Sequence, residues 1–281
     1  MLEQLVFSRM YFDPEGLILA EADGQPVGFV HAGFGPTDDG SELSTEMGVT
    51  CMLQVVRHES RQQIEDELLA RSEAYLRERG ARILYGGEVY PLNPFYLGLY
   101  GGSELPGVLE SHASLSELFR RSSYREIDSC DVFQIALDGF RVPISRKLML
   151  ARRQFLVEAT YEPAPRTWWQ ACTTPASESV RFQVRPRDSD QACGDVTFWE
   201  IEPLGTSWGV TSVGMVRLQI DESRRRQGLA TMLLDEALRQ LVDSGVERVE
   251  VQTMRHNEAA RALYQNLGFL QVDRGLVFRK E

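Results

Sequence analysis

The chain has 281 residues, 43% of them apolar and 25% charged, with a formal net charge of −11. That apolar share supplies material for a real core, in one large domain or two ordinary ones, and excludes a disordered chain. The excess of 41 acidic over 30 basic residues argues against a general nucleic-acid binder, whose affinity would rest on neutralising phosphates.

The opening MLEQLVFSRM lacks the basic flank and long apolar run of a signal peptide. No stretch approaches the ~20 apolar residues of a membrane span. GLILAEADGQPVGFVHAGF, Gly16 to Phe34, reads as two alternating strands around Asp23-Gly24, a hairpin signal. GVTCMLQVV is strand-like, and RQQIEDELLARSEAYLRER is a helix with Ile64, Leu68, Leu69 and Leu76 on one side and a stop at Gly80. ARILYGGEV is a strand, and NPFYLGLY (Asn93 to Tyr100) follows it. After the insertion GGSELPGVLESHASLSELFRRSS comes a strand-like YREIDSCDVFQI, Tyr124 to Ile135. FRVPISRKLMLARRQFLVEATYEPAPRTWWQ begins as a helix and passes through a proline-rich YEPAP. VRFQVRPRDSDQACGDVTFWEIEPL gives another strand pair, and SVGMVRLQI (Ser212 to Ile220) a strand. ATMLLDEALRQLVDS places Met232, Leu233, Ala237, Leu238 and Leu241 at helical spacing before Gly245. VERVEVQ is a short strand, NEAARALYQNL a helix from an N-cap Asn257 to Gly268, and FLQVDRGLVFRK a terminal strand or hairpin.

The order repeats. Setting Gly80 against Gly245 brings two helices into register, Asn93 to Tyr100 shares its Asn-to-Tyr spacing with Asn257 to Tyr264, and YREIDSCDVFQI overlies FLQVDRGLVFRK. Several matches in one order point to a duplication with its seam near residue 140, giving copies at 1–140 and 141–281. The expected fold class is α/β, two tandem copies each with a mixed twisted sheet flanked by helices. Cys51, Cys130, Cys172 and Cys193 show no CxxC or Cys/His spacing, so no metal is expected and the thiols read as free in a reducing compartment. A soluble cytoplasmic protein is the expectation.

One stretch carries chemistry. DESRRRQGLATMLLDEAL, Asp221 to Leu238, sets three arginines before Gly228 at the mouth of a helix. A helix N-terminus presents unpaired amides and the positive end of its dipole, and glycine lets a ligand approach them closely. Gly228 and Ala230 keep that surface bare, while Arg225 and Arg226 add guanidinium charge at the rim.

Arg-x-x-Gly-x-Ala after a strand, followed by EVQTMRHNEAARALYQNLGF, resembles the GNAT acetyltransferase superfamily over Val213 to Lys280. The two-copy chain resembles its tandem members, mycothiol synthase among them, in which one copy works and the other is degenerate. The resemblance implies that Leu218, Gln219 and Ile220 pair through their backbone with the pantetheine amides of acetyl-CoA. It implies that Arg226, Gln227, Gly228, Leu229, Ala230 and Thr231 hold the pyrophosphate, and that Asn257 contacts the cofactor. Tyr264 matches the residue that protonates the leaving thiolate, a role suited to a phenol whose reference pKa is ~10. Glu250 is the nearest match to the family's strand-borne general base, although the loop from it to Asn257 is two residues longer than usual. Glu200, Glu202 or a base acting through water are the alternatives.

Aligned by its helix, the first copy has Gln63 at the place of Gly228 and Glu65 at the place of Ala230. Bulk and a carboxylate there disfavour a pyrophosphate, so the first copy is expected to be degenerate. YGGSELPG reads as a structural loop or a wall of an acceptor pocket, and Trp199 and Trp208 as core residues or lining of that pocket. The expected activity is acetyl transfer from acetyl-CoA to a small-molecule or peptide amine in the second copy. The expected partners include no nucleic acid, no membrane and no metal, and the chain is expected to be a monomer or homodimer. A CoA-binding sensor without turnover is the alternative.

Overall fold

The protein is described by a computed structural model covering residues 2–92, 94–142, 145–173 and 178–281. The first half contains β1 (Leu17–Ala22), β2 (Gln25–Pro36), β3 (Leu43–Val55), α1 (Arg61–Glu78), β4 (Ile83–Gly86), β5 (Val108–Leu109), α2 (Ala113–Arg121) and β6 (Arg125–Ala136). The second contains α3 (Arg146–Gln154), β7 (Phe155–Tyr161), α4 (Trp168–Thr173), β8 (Ser179–Pro186), β9 (Gly194–Glu200), α5 (Glu202–Trp208), β10 (Ser212–Ile220), α6 (Leu229–Asp243), β11 (Arg248–Met254), α7 (Glu258–Asn266) and β12 (Leu270–Lys280). The mixed α/β class is as expected. No described helix is long and apolar enough to cross a membrane.

Local chemistry explains these elements. β1 and β2 turn at Asp23 (φ +52°) and Gly24 (φ +74°), the left-handed pair that a tight two-residue hairpin requires. α6 buries Leu229, Met232, Leu233, Leu234, Ala237, Leu238 and Leu241 on its core side. Each fully buried leucine there stabilises the fold by roughly 2 kcal/mol. Gly80, Gly245 and Gly268 follow helices at φ +105°, +87° and +93°, conformations that end a helix and suit glycine.

The chain divides into two compact units that are not contiguous in sequence. The seam expected near residue 140 is therefore not a clean cut between them. Unit 1 comprises Met1–Asp131, Pro165–Pro175 and Asp273–Glu281; unit 2 comprises Val132–Ala164 and Ala176–Val272.

In unit 1, β1, β2 and β3 form an antiparallel run and β3 pairs in parallel with β4. The C-terminal part of β12 then pairs antiparallel with β4, Lys280↔Leu84 to Phe278↔Gly86, and with β5. Its main core joins Val30, Leu53, Leu68, Leu76, Phe119 and Phe278. In unit 2 the strand order is β7, β8, β9, β10, β11, then the Val132–Ala136 end of β6. Phe133, Phe182, Phe198, Met215, Leu233, Leu238 and Val251 form a single core there with α3 and α6.

FLQVDRGLVFRK is a single terminal strand, the first of the two readings given for it, and not a hairpin. The segment matched to α7 in the first copy forms turns among its described residues, because Tyr96 (φ +55°) and Gly98 (φ +80°) are left-handed and incompatible with a helix; Asn93 lies outside the described residues. α5 was not anticipated and ends at a left-handed Gly209.

Candidate active site

Unit 2 opens a fork in its sheet. β10 and β11 pair in parallel only from Ser212↔Arg248 to Met215↔Val251. β10 continues to Ile220 against β9, with an irregularity between Val216 and Gln219 where Arg217 takes φ +57°. A bulge of this kind bends its strand. Leu218, Gln219 and Ile220 therefore lie on the arm of β10 that has parted from β11.

The chain then passes through a short 3-10 turn, Glu222–Arg224, and enters α6 at Gly228 (φ +86°, ψ 6°). No side chain caps α6, so Leu229, Ala230 and Thr231 offer first-turn amides at its mouth. A Cβ on Gly228 would lie 3.3 Å from Cβ of Lys147 on α3, so the glycine is needed for space as well as for φ. The donor chemistry and the bare cradle fit a pyrophosphate.

The three arginines are not equivalent. Arg224 lies over the Phe155 ring at 5.9 Å. Arg225 donates from Nε to the Ile220 carbonyl at 3.1 Å and pairs with Glu222 at 3.3 Å, so it braces the loop. Arg226, at φ +65°, is exposed and makes no hydrogen bond or ion pair among the described residues, which leaves its guanidinium for a ligand. Gln227 donates to the Ser223 carbonyl at 3.3 Å.

Asn257 caps α7 by accepting from the Ala260 amide at 3.2 Å. About two turns further along that helix, Tyr264 is buried against Phe133 and Phe269, with ring centroids 5.9 and 5.6 Å away. Val249 and Val251 join the same core, so Glu250 between them faces the opposite side of the sheet. Glu250 is 3% exposed and stands one residue before the last parallel pair. It accepts from Gln134 Nε2 at 2.9 Å and from Gln252 Nε2 at 3.4 Å. Tyr264 and Glu250 thus belong to opposite faces of the sheet.

Glu200 and Glu202 are elsewhere. Glu200 pairs with Val213 at the start of β10, far along the strand from Ile220. With Glu202 and Glu247 it lines a separate cavity of ≈ 320 Å³. Trp199 is buried and pairs with Gly214, while Trp208 is half-buried beneath the Arg248 guanidinium. Gln134 and Lys147 were not singled out in the sequence. Gln134 alternates correctly in its strand, but nothing local says that this strand lies beside β11.

Unit 1 repeats the framework, its parallel ladder likewise stopping while β3 runs on to Val55. β3 and β4 pair from Met47↔Ile83 to Thr50↔Gly86, and Ile83 follows Gly80 by the same three residues that separate Arg248 from Gly245. In that register Tyr85 stands where Glu250 does. α1 begins at Arg61, so its first turns run through the places matched to the α6 loop. Glu65 is buried within it and paired with Arg61 and Arg121 at 2.8 and 3.1 Å. Past the parallel pairing, rings fill the space: His31 and Phe95 lie 4.3 Å apart, His31 Nδ1 meets the Tyr96 hydroxyl at 3.0 Å, and Glu88 accepts from the Phe95 amide at 2.9 Å. Burial drives the Glu88 carboxyl well above the usual range and lowers His31 to about 4. YGGSELPG contributes the buried Leu105 to this unit.

Residues 148–269 match the model of the acetyltransferase (GNAT) family. No curated protein matches the chain. Among solved structures it is similar to a tandem GNAT protein from the clavulanic acid biosynthesis pathway, at 14% identity and a TM-score of 0.63 over 96% of this chain and 85% of that one. A GCN5-related N-acetyltransferase from Sphaerobacter thermophilus gives 15% identity and a TM-score of 0.59 over 95% and 81%. A fungal multi-domain GH3 beta-N-acetylglucosaminidase with a GCN5-related glucosamine N-acetyltransferase region gives 14% and 0.67, this chain covering 32% of that one. At such identities the likeness is one of fold.

Proposed function

We propose that the chain is an acetyl-CoA-dependent N-acetyltransferase, a reading supported by the match of residues 148–269 to the GNAT acetyltransferase family, whose chemistry is acyl transfer from acyl-CoA. Its site lies in unit 2 and its acceptor is a small-molecule or peptide amine. The observation that carries this reading is the uncapped mouth of α6 at Gly228, beside a sheet fork that opens after Met215. Unit 1, with its helix continuous through the matched positions and its fork filled, is structural. Both copies descend from a duplication at 1–140 and 141–281. Four free cysteines suit a cytoplasmic location.

The roles divide by position. The amides of Leu229, Ala230 and Thr231, with Arg226, hold the pyrophosphate, and Gln227 braces the loop. The backbone of Leu218 to Ile220 pairs with the pantetheine arm, and the Asn257 amide nitrogen reaches the cofactor while its oxygen caps α7. The amine attacks the thioester carbonyl directly: the C–N bond forms, the C–S bond breaks, and the sulfur leaves as thiolate. Glu250 takes the proton that the ammonium must lose, and Tyr264 delivers one to the sulfur.

The test is thiol release from acetyl-CoA with a panel of primary amines. At least one amine is expected to accelerate release, and Gly228→Glu to abolish it along with acetyl-CoA binding. Tight acetyl-CoA binding with no amine-dependent release would make the chain a sensor.

A further inference from the structure

We propose that Gln134, from β6 in the first half of the sequence, is a positioning residue that holds Glu250 in its working geometry. The inference rests on Glu250 being the base. Gln134 Nε2 meets Glu250 Oε2 at 2.9 Å, shorter than the 3.4 Å bond from Gln252 Nε2 to the same carboxylate. A carboxylate only accepts, so the NH2 end of the amide must face it. Glu250 is 3% exposed, where water cannot take over the donor's part.

The residue type matters. An arginine or lysine here would form an ion pair and hold the carboxylate ionised, weakening it as a base. An aliphatic side chain would leave Oε2 without this donor, at the cost of a lost bond to a charged group. A neutral amide fixes the carboxylate plane without cancelling its charge. Unit 1 offers the contrast: Tyr85 takes the place of Glu250 there, and its cross-strand neighbour is Arg279. The amide–carboxylate pair thus belongs to the unit with the open fork.

The experiment is a double-mutant cycle in the full chain with Gln134→Leu, Glu250→Gln and the double variant, measuring kcat and both KM values with the best amine. Gln134→Leu is expected to lower kcat about tenfold or more, the share of a hydrogen bond to a charged group, with KM for acetyl-CoA unchanged. In the Glu250→Gln background the same change should move kcat less than twofold. Gln134→Asn, which keeps the donor on a shorter arm, should recover part of the loss and serves if the leucine variant does not fold. Equal losses in both backgrounds, or full kcat in both Gln134 variants, overturn the proposal while leaving Glu250 as the base. Full turnover in Glu250→Gln removes the base itself, a different failure.

Discussion

Tyr264 and Glu250 lie on opposite faces of one sheet, so each can be removed separately. Tyr264→Phe keeps the ring packed on Phe133 and Phe269 and deletes only the hydroxyl. We expect kcat to fall about 100-fold, within the usual range for a general acid, with acetyl-CoA affinity within about twofold by calorimetric titration. An unchanged kcat would exclude the tyrosine as the acid. In unit 1, His31 titrates at about 4 because it is fully buried, against 6.5 in the unfolded chain. Between these values the unfolded state binds more protons, so this contribution is intact above pH 6.5 and is lost as pH falls towards 4. The loss amounts to about 3 kcal/mol at most. Glu88 acts in the opposite sense, its raised pKa favouring the fold at low pH. The difference between wild type and His31→Gln therefore isolates the histidine. Urea midpoints from pH 7 to 4 should converge as pH falls, and parallel curves would exclude the effect.

At the level of elements, the mouth of α6 depends on one left-handed residue. Gly228→Ala forces a side chain into φ +86° and puts a methyl 3.3 Å from Lys147 Cβ. It should cost about 1 kcal/mol or more in stability and raise KM for acetyl-CoA with little change in kcat. An unaltered KM would detach the loop from the cofactor. This loop was readable because helix periodicity, the glycine and the capping Asn257 are all local signals. The same holds for β1 and β2, whose Asp-Gly turn and alternation lie within one stretch. What could not be read was partner choice. FLQVDRGLVFRK has the same alternation whether it folds back on itself or pairs with β4, and Gln134 reads as any polar position of a half-buried strand. The 94–100 segment kept a helix-like spacing, while Tyr96 and Gly98 took left-handed conformations that spacing does not encode.

At the level of the molecule, Asp273–Glu281 complete unit 1 although they end the chain. Phe278 is fully buried there and stacks on Phe119 at 5.6 Å, and Lys280 pairs with Glu73 at 2.7 Å. Deleting 273–281 should therefore strip hydrogen-exchange protection from β4 and α1, while Val132–Val272 still supply every residue assigned to the acetyl-CoA site. Calorimetry should still detect acetyl-CoA binding, and protection retained in β4 would refute this division. The exchange of segments also sets a timetable for synthesis. Domains usually fold in the order in which they leave the ribosome. Here the portion translated first is finished last: residues 2–131 wait for the final strand, on the order of 10–30 s at ordinary elongation rates. Over that interval β4 has an unpaired edge. An exposed edge of this kind is a template for pairing with another chain, and it persists until residues 273–281 have been made.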